Sequence, residues 1–158
     1  WEILHVEWKA PRLTLHPSEG ELWVKGRIDR IDIHRARGEI ALIDYKSGGQ
    51  MAKKDLERGS RLQLPIYALA ARDALHLGVP VEGFYWRLQA AEPSTLRLST
   101  FSTEEASGVE AAIQVVIQHL SRVVRGIRAA EFMPERPDGG CPPYCPAAAW
   151  CWRYEPGR

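Results

Sequence analysis

With 158 residues, 45% of them hydrophobic and 26% charged, the chain has the make-up of one soluble globular domain with a substantial core, which excludes a disordered or fibrous segment. A formal net charge of +1 gives no global attraction to nucleic acid, so any such binding has to come from a local patch. Three cysteines confined to the end of the chain, no leader and no membrane-length apolar run argue against a disulfide-framed secreted protein or a membrane span, and favour a reducing, cytoplasmic setting.

The chain starts at Trp1 and reads as a piece of a longer protein. Residues from about Glu2 to Trp8 and from about Glu21 to His34 are rich in Val, Ile, Leu and Trp with partial alternation, and each predicts a strand. Pro11, Pro17 and Gly20 punctuate the link between them. Arg35 to Gly38 predicts a turn and Glu39 to Lys46 a second strong strand, so the two together form a β-hairpin. A basic stretch runs from Lys46 to Arg61, with Lys46, Lys53, Lys54, Arg58 and Arg61 against only Asp55 and Glu57, which reads either as a solvated loop or as a local patch for nucleic acid.

From Leu62 to Leu77 the spacing of Leu64, Ala68, Ala71 and Leu75 predicts a helix, stopped by Gly78 and Pro80. Val81 to Leu88 and Thr95 to Phe101 predict two further strands. Ser102 and Glu105 fit a capping box that opens a long helix to about Ala130, with an apolar stripe of Ile113, Val116, Ile117, Leu120, Val123, Val124 and Ile127. The last segment is rich in proline and holds Cys141, Cys145 and Cys151, so something has to cross-link it. The order of elements predicts an α+β or α/β layered domain.

The hairpin carries the chemistry. Alternation along a strand puts Asp44 and Lys46 on one face. A turn centred on Ala36 and Arg37 pairs residues whose numbers sum to 73, so Ile33 meets Ile40, Ile31 meets Leu42, and Asp29 lies opposite Asp44. Opposed residues have Cβ atoms about 4.5–5.5 Å apart, close enough for two carboxylates to share a divalent cation. Oxygen ligands suit Mg²⁺ or Mn²⁺, and Lys46 beside them is placed to stabilise charge on a phosphoryl oxygen or to help deprotonate water. An isolated Asp-x-Lys is a common tripeptide; the combination with an acidic strand across a hairpin is much rarer.

The strings Gly26-Arg27-Ile28-Asp29-Arg30-Ile31-Asp32 and Ile43-Asp44-Tyr45-Lys46-Ser47-Gly48 resemble the nuclease motifs of the PD-(D/E)XK superfamily, in particular its RecB/AddB-type exonuclease branch. The resemblance implies a restriction-endonuclease-like α/β core, a central mixed sheet flanked by helices, with a cysteine-rich C-terminal tail. It implies Asp29, Asp44 and the backbone carbonyl of Tyr45 as metal ligands and Lys46 as the catalytic lysine. A third family motif, Gln-x-x-x-Tyr, stands as Gln63 and Tyr67, one helical turn apart on one face. Locally, Ser60 and Gln63 also fit a capping box and Tyr67 a half-buried core position. Glu7 occupies a place where relatives often carry an acid before the glycine-containing strand, whereas His5 reads as an ordinary strand residue.

Thiolates spaced as Cys141, Cys145 and Cys151 suit an iron–sulfur cluster or zinc. In the AddB-type branch three C-terminal cysteines and one distant cysteine hold a [4Fe-4S] cluster, which implies a fourth ligand outside this chain. Trp150, Trp152 and Tyr154 are expected to pack against the domain. The expected organisation is a nuclease core over residues 1–131, N-terminally truncated, and a cysteine-rich tail over 132–158 packed on it. The expected function is Mg²⁺- or Mn²⁺-dependent exonucleolytic hydrolysis of DNA within a helicase-nuclease of DNA repair or recombination, with DNA and a helicase domain or subunit as partners. The alternative is a nuclease-fold DNA-binding or structural module without catalysis.

Overall fold

The computed structural model describes residues 1–10, 13–15, 20–49, 51–132 and 140–156. Its centre is a five-stranded sheet of β1 (Glu2–Lys9), β4 (Arg27–His34), β5 (Glu39–Lys46), β6 (Val79–Arg87) and β7 (Glu92–Arg97), in the order β1-β4-β5-β6-β7. The β5/β6 pair is parallel and the other three pairs are antiparallel, so the sheet is mixed. The parallel pair needs a crossover. That crossover carries α1 (Lys53–Glu57), α2 (Gln63–Leu69) and a π-helical turn (Ala70–Ala74), and α2 packs on β5 and β6. A separate two-stranded ribbon pairs β2 (Leu13–Leu15) with β3 (Leu22–Val24).

The predicted hairpin is present with its predicted register: His34 pairs with Glu39, Ile33 with Ile40, Ile31 with Leu42 and Arg30 with Ile43, around a turn that Gly38 completes at φ +64°. Ile31, Ile40 and Leu42 are fully buried, so the apolar part of one face forms core as alternation requires. Lying at the centre of the sheet, β5 also buries Ala41 and Ile43 on its other face.

Several elements depart from the sequence reading, each for a local reason. The strand expected from Glu21 to His34 is two, β3 and β4, broken at Gly26, where the Tyr67 ring comes so near that a Cβ would meet Cε1 at 3.1 Å. The helix expected over Leu62–Leu77 is α2 followed by the π turn, and Leu77 N–H bonds back to the Ala71 carbonyl. Ser60 caps nothing: its hydroxyl donates to the Asp55 carbonyl, and the residue before α2 is Leu62.

The basic stretch is not wholly loop, because Asp55 accepts the Ala52 N–H at 2.7 Å and opens the short helix α1. The long helix, α3 (Gly108–Arg128), begins later than Ser102. Thr103 Oγ1 takes the amides of Glu105 and Ala106 there, and Ser102 bridges Ser107 instead of capping. Of the expected stripe, Ile113, Val116, Leu120 and Val124 are buried, whereas Val123 and Ile127 are exposed. Pro11 and Pro17 lie outside the described residues.

The chain divides into two compact units, Trp1–Val124 and Arg125–Arg158. In the second, Cys141 N–H donates to the Glu155 carbonyl and Cys151 N–H to the Ala147 carbonyl, in a succession of turns. Trp150 and Trp152 are 79% and 70% exposed. Among the described residues no helix is long and apolar enough to cross a membrane.

Candidate active site

The hairpin ladder carries Asp29 to the step next to Asp44, beyond the Arg30/Ile43 pair. There the carboxylate of Asp29 replaces a ladder partner, and Oδ2 accepts the Tyr45 backbone N–H at 2.9 Å. Asp44 is 1% exposed, and among the described residues neither of its carboxylate oxygens has a hydrogen-bond partner. Lys46 Nζ lies 2.6 Å from Asp44 Oδ2, an ion-pair contact without the angular geometry of a hydrogen bond. Burial pushes the Asp44 carboxyl above the ordinary carboxylate range; Lys46 opposes that shift and the charge of Asp29 adds to it.

A polar chain then leaves the hairpin. Lys46 Nζ donates to Gln63 Oε1 at 3.1 Å, Gln63 Nε2 donates to Tyr67 Oη at 3.0 Å, and Tyr67 Oη donates to the Arg27 carbonyl at 2.7 Å. One helical turn separates Gln63 from Tyr67, which is why an amide and a phenol meet on one face of α2. The chain returns to β4 two residues before Asp29, so strand, helix and hairpin close on each other. Asp29, Asp44, Lys46, Gln63 and Tyr67 thus form one connected group.

The other residues singled out by sequence stand around it or apart. Glu7 sits on β1 at φ +49° with its carboxylate 3.1 Å from Arg27 Nε, both exposed, so it faces the strand bearing Asp29 but is engaged elsewhere. His5 is a strand residue stacked on Trp8. Lys53 and Lys54 lie on α1, Arg58 at its end, and Arg61 close enough to Asp44 for its charge to hold that carboxyl down. Lys53 pairs with Glu57 at 3.5 Å and lies over the Phe101 ring.

Two residues of the same face come from β6 and carried no signal in the sequence: Tyr85, in register with Asp44, and Arg87, in register with Lys46. Tyr85 is 1% exposed, and its hydroxyl has no partner among the described residues. Burial, with the nearby Asp44 charge, pushes that phenol up to about 12. Arg87 pairs with Glu92 through Nη2, and its Nε is buried without a partner among the described residues. The parallel β5/β6 pairing is what brings these two beside the hairpin.

The donor set suits a divalent cation at the hairpin. Two carboxylates stand side by side, and the buried one has Oδ2 against Lys46 and Oδ1 without a partner among the described residues, a cost that an ion would relieve. The tail is different. Its three thiols are free, and among the described residues no group of three or more His, Cys, Asp or Glu is gathered to hold a metal. Among the described residues, Cys141, Cys145 and Cys151 as arranged do not make a cluster site.

The model of the PD-(D/E)XK nuclease superfamily matches residues 1–152. Over 70 residues the chain is 40% identical to an ATP-dependent helicase/deoxyribonuclease subunit of Moorella thermoacetica; the match covers 42% of this chain and 6% of that protein. With the mixed sheet, the hairpin register and a match over nearly its whole length, the chain belongs to the PD-(D/E)XK nuclease superfamily.

Proposed function

We propose that the chain is the catalytic domain of a divalent-metal-dependent DNA exonuclease that works with a helicase in the repair or recombination of DNA, in the cytoplasm. The observation that carries this reading is the buried Asp44 carboxylate beside Asp29, with Oδ2 against the Lys46 ammonium and Oδ1 without a partner among the described residues.

Asp29, Asp44 and the Tyr45 carbonyl would hold Mg²⁺ or Mn²⁺. Such an ion supplies Lewis acidity toward a phosphoryl oxygen and lowers the pKa of water. Lys46 holds its ammonium between Asp44 and Gln63, where it neutralises charge that grows on the phosphoryl group. Gln63 and Tyr67 fix that ammonium by tying it to the Arg27 carbonyl. Lys53, Lys54, Arg58 and Arg61 receive the sugar-phosphate backbone. Hydrolysis adds the oxygen of water to phosphorus and expels the sugar 3′-oxygen, leaving a 5′-phosphate and a 3′-hydroxyl. The division into a nuclease core over 1–131 and a tail over 132–158 belongs to the same proposal. So does an iron–sulfur role for the tail cysteines, which requires a ligand from outside this chain and a rearrangement of the three thiols.

The test is digestion of end-labelled single- and double-stranded DNA with Mg²⁺ or Mn²⁺, by the chain and by any longer protein that carries it. Cation-dependent cleavage, lost in Asp44→Asn and strongly reduced but still measurable in Lys46→Ala, is expected. DNA binding without cleavage in every form would leave a binding module, and cleavage undiminished in Lys46→Ala would remove the lysine from its role.

A further inference from the structure

We propose that Tyr85 is a positioning residue of the site, its ring serving as the platform that holds the Lys46 ammonium; this rests on the reading of Lys46 given above. Lys46 Nζ lies 5.5 Å from the centroid of the Tyr85 ring, within reach of a cation–π interaction. The contact follows from the parallel pairing: Asp44 and Tyr85 are in register, so the ring lies on the same face as Asp44 and Lys46.

The backbone at Tyr85 is built to keep it there. The β6/β7 register slips between Phe84 and Trp86, and at that slip the Tyr85 N–H bonds to the Ser94 side chain of β7, at Oγ, 3.1 Å away. The hydroxyl of Ser94, 3% exposed, donates in turn to the Leu96 carbonyl at 2.7 Å. A slip of this kind re-aims a side chain, and here a buried hydroxyl fixes the result.

The platform matters because Lys46 has two competing attachments. Its ammonium touches Asp44, and Coulomb attraction alone, which has no preferred direction, would leave it free to swing around that carboxylate. The Gln63 carbonyl oxygen and the ring flank the ammonium while it touches that carboxylate, and so fix where it sits along the face. The hydroxyl, which has no partner among the described residues, is not what holds the lysine.

The experiment compares Tyr85→Phe, which keeps the ring, with Tyr85→Leu, which removes it, in the full chain and in a Lys46→Ala background. For DNA cleavage, Tyr85→Leu is expected to lower kcat by about tenfold with little change in KM, and Tyr85→Phe by at most about threefold. In the Lys46→Ala background Tyr85→Leu is expected to add no further loss. Independently of activity, the Lys46 ε-methylene protons of the metal-free chain are expected to show an upfield ring-current shift by NMR, kept in Tyr85→Phe and lost in Tyr85→Leu. Should Tyr85→Leu fail to fold, the wild-type shift decides. Absence of that shift, equal damage from Phe and Leu, no loss in Tyr85→Leu, or a further loss from Tyr85→Leu in the Lys46→Ala background would each overturn the proposal. The shift in the wild-type chain, with no cleavage by it or by any longer protein that carries it, would instead retire the nuclease reading and keep the contact.

Discussion

Asp29 accepts the backbone N–H of Tyr45, the residue between Asp44 and Lys46, at 2.9 Å. The bond stands where the β4/β5 backbone ladder has ended after Arg30 and Ile43, so a carboxylate takes over the work of a neighbouring strand. One acid is thereby fixed by the segment that carries the other, and the two are held together despite their like charge. Such an arrangement trades stability of the empty site for a place to put positive charge.

Asp44 and Lys46 are therefore expected to be strongly coupled in stability. Lys46→Met leaves a buried carboxylate without its counter-charge and is expected to cost about 2–3 kcal/mol in urea unfolding of the metal-free chain. Asp44→Asn removes the buried charge and is expected to be neutral or stabilising. The double substitution should regain most of what Lys46→Met loses while remaining inactive on DNA. Additive losses would show that the two side chains do not interact.

The link from Tyr67 to the Arg27 carbonyl is expected to hold the break between β3 and β4 in place. Tyr67→Phe leaves that carbonyl and the Gln63 amide without their partner, at a cost of about 1–2 kcal/mol. Gly26→Ala sets a methyl 3.1 Å from Tyr67 Cε1, and the ring, tied at its hydroxyl, has little room to give; about 1 kcal/mol is expected. Thermal unfolding of both single variants and the double should show less than the sum, because Tyr67→Phe frees the ring to move.

Tyr85 sets an alkaline limit. Its phenol titrates near 12 in the folded chain, against about 10 when unfolded, so between those values the unfolded chain gives up a proton that the folded chain keeps. Stability from this group is fully present below pH 10 and falls as pH rises toward 12, by about 2–3 kcal/mol in all. Urea unfolding at pH 9 and pH 11 should show a larger drop for the wild type than for Tyr85→Phe, which has nothing to ionise. Equal drops would mean that the phenol is not held neutral by its surroundings.

Salt dependence should report which cations of the crossover meet phosphate. Lys54 and Arg61 are exposed, whereas Lys53 already pairs with Glu57 and lies over Phe101. Lys54→Gln or Arg61→Gln is expected to reduce the slope of log K against log salt for duplex DNA by about 0.9 each, and Lys53→Gln by less. The measurement is a binding titration at several salt concentrations in Ca²⁺. An unchanged slope would place the DNA elsewhere.

What the sequence by itself determined is what short-range geometry controls. A four-residue turn fixes antiparallel register, so the position of Asp29 beside Asp44 follows from counting outward from Ala36 and Arg37, and the meeting of Gln63 with Tyr67 follows from one turn of helix. The tertiary structure alone decided the rest of the site. Tyr85 and Arg87 reach it through a parallel pairing, whose register depends on how α1, α2 and the π turn pack across the sheet and leaves no mark in the local pattern. The break at Gly26 depends on the Tyr67 ring arriving from far along the chain, and the segment before α3 is a turn in which Thr103, not Ser102, takes backbone amides. Periodicity reads pairings closed by a turn; it cannot read those closed by the core.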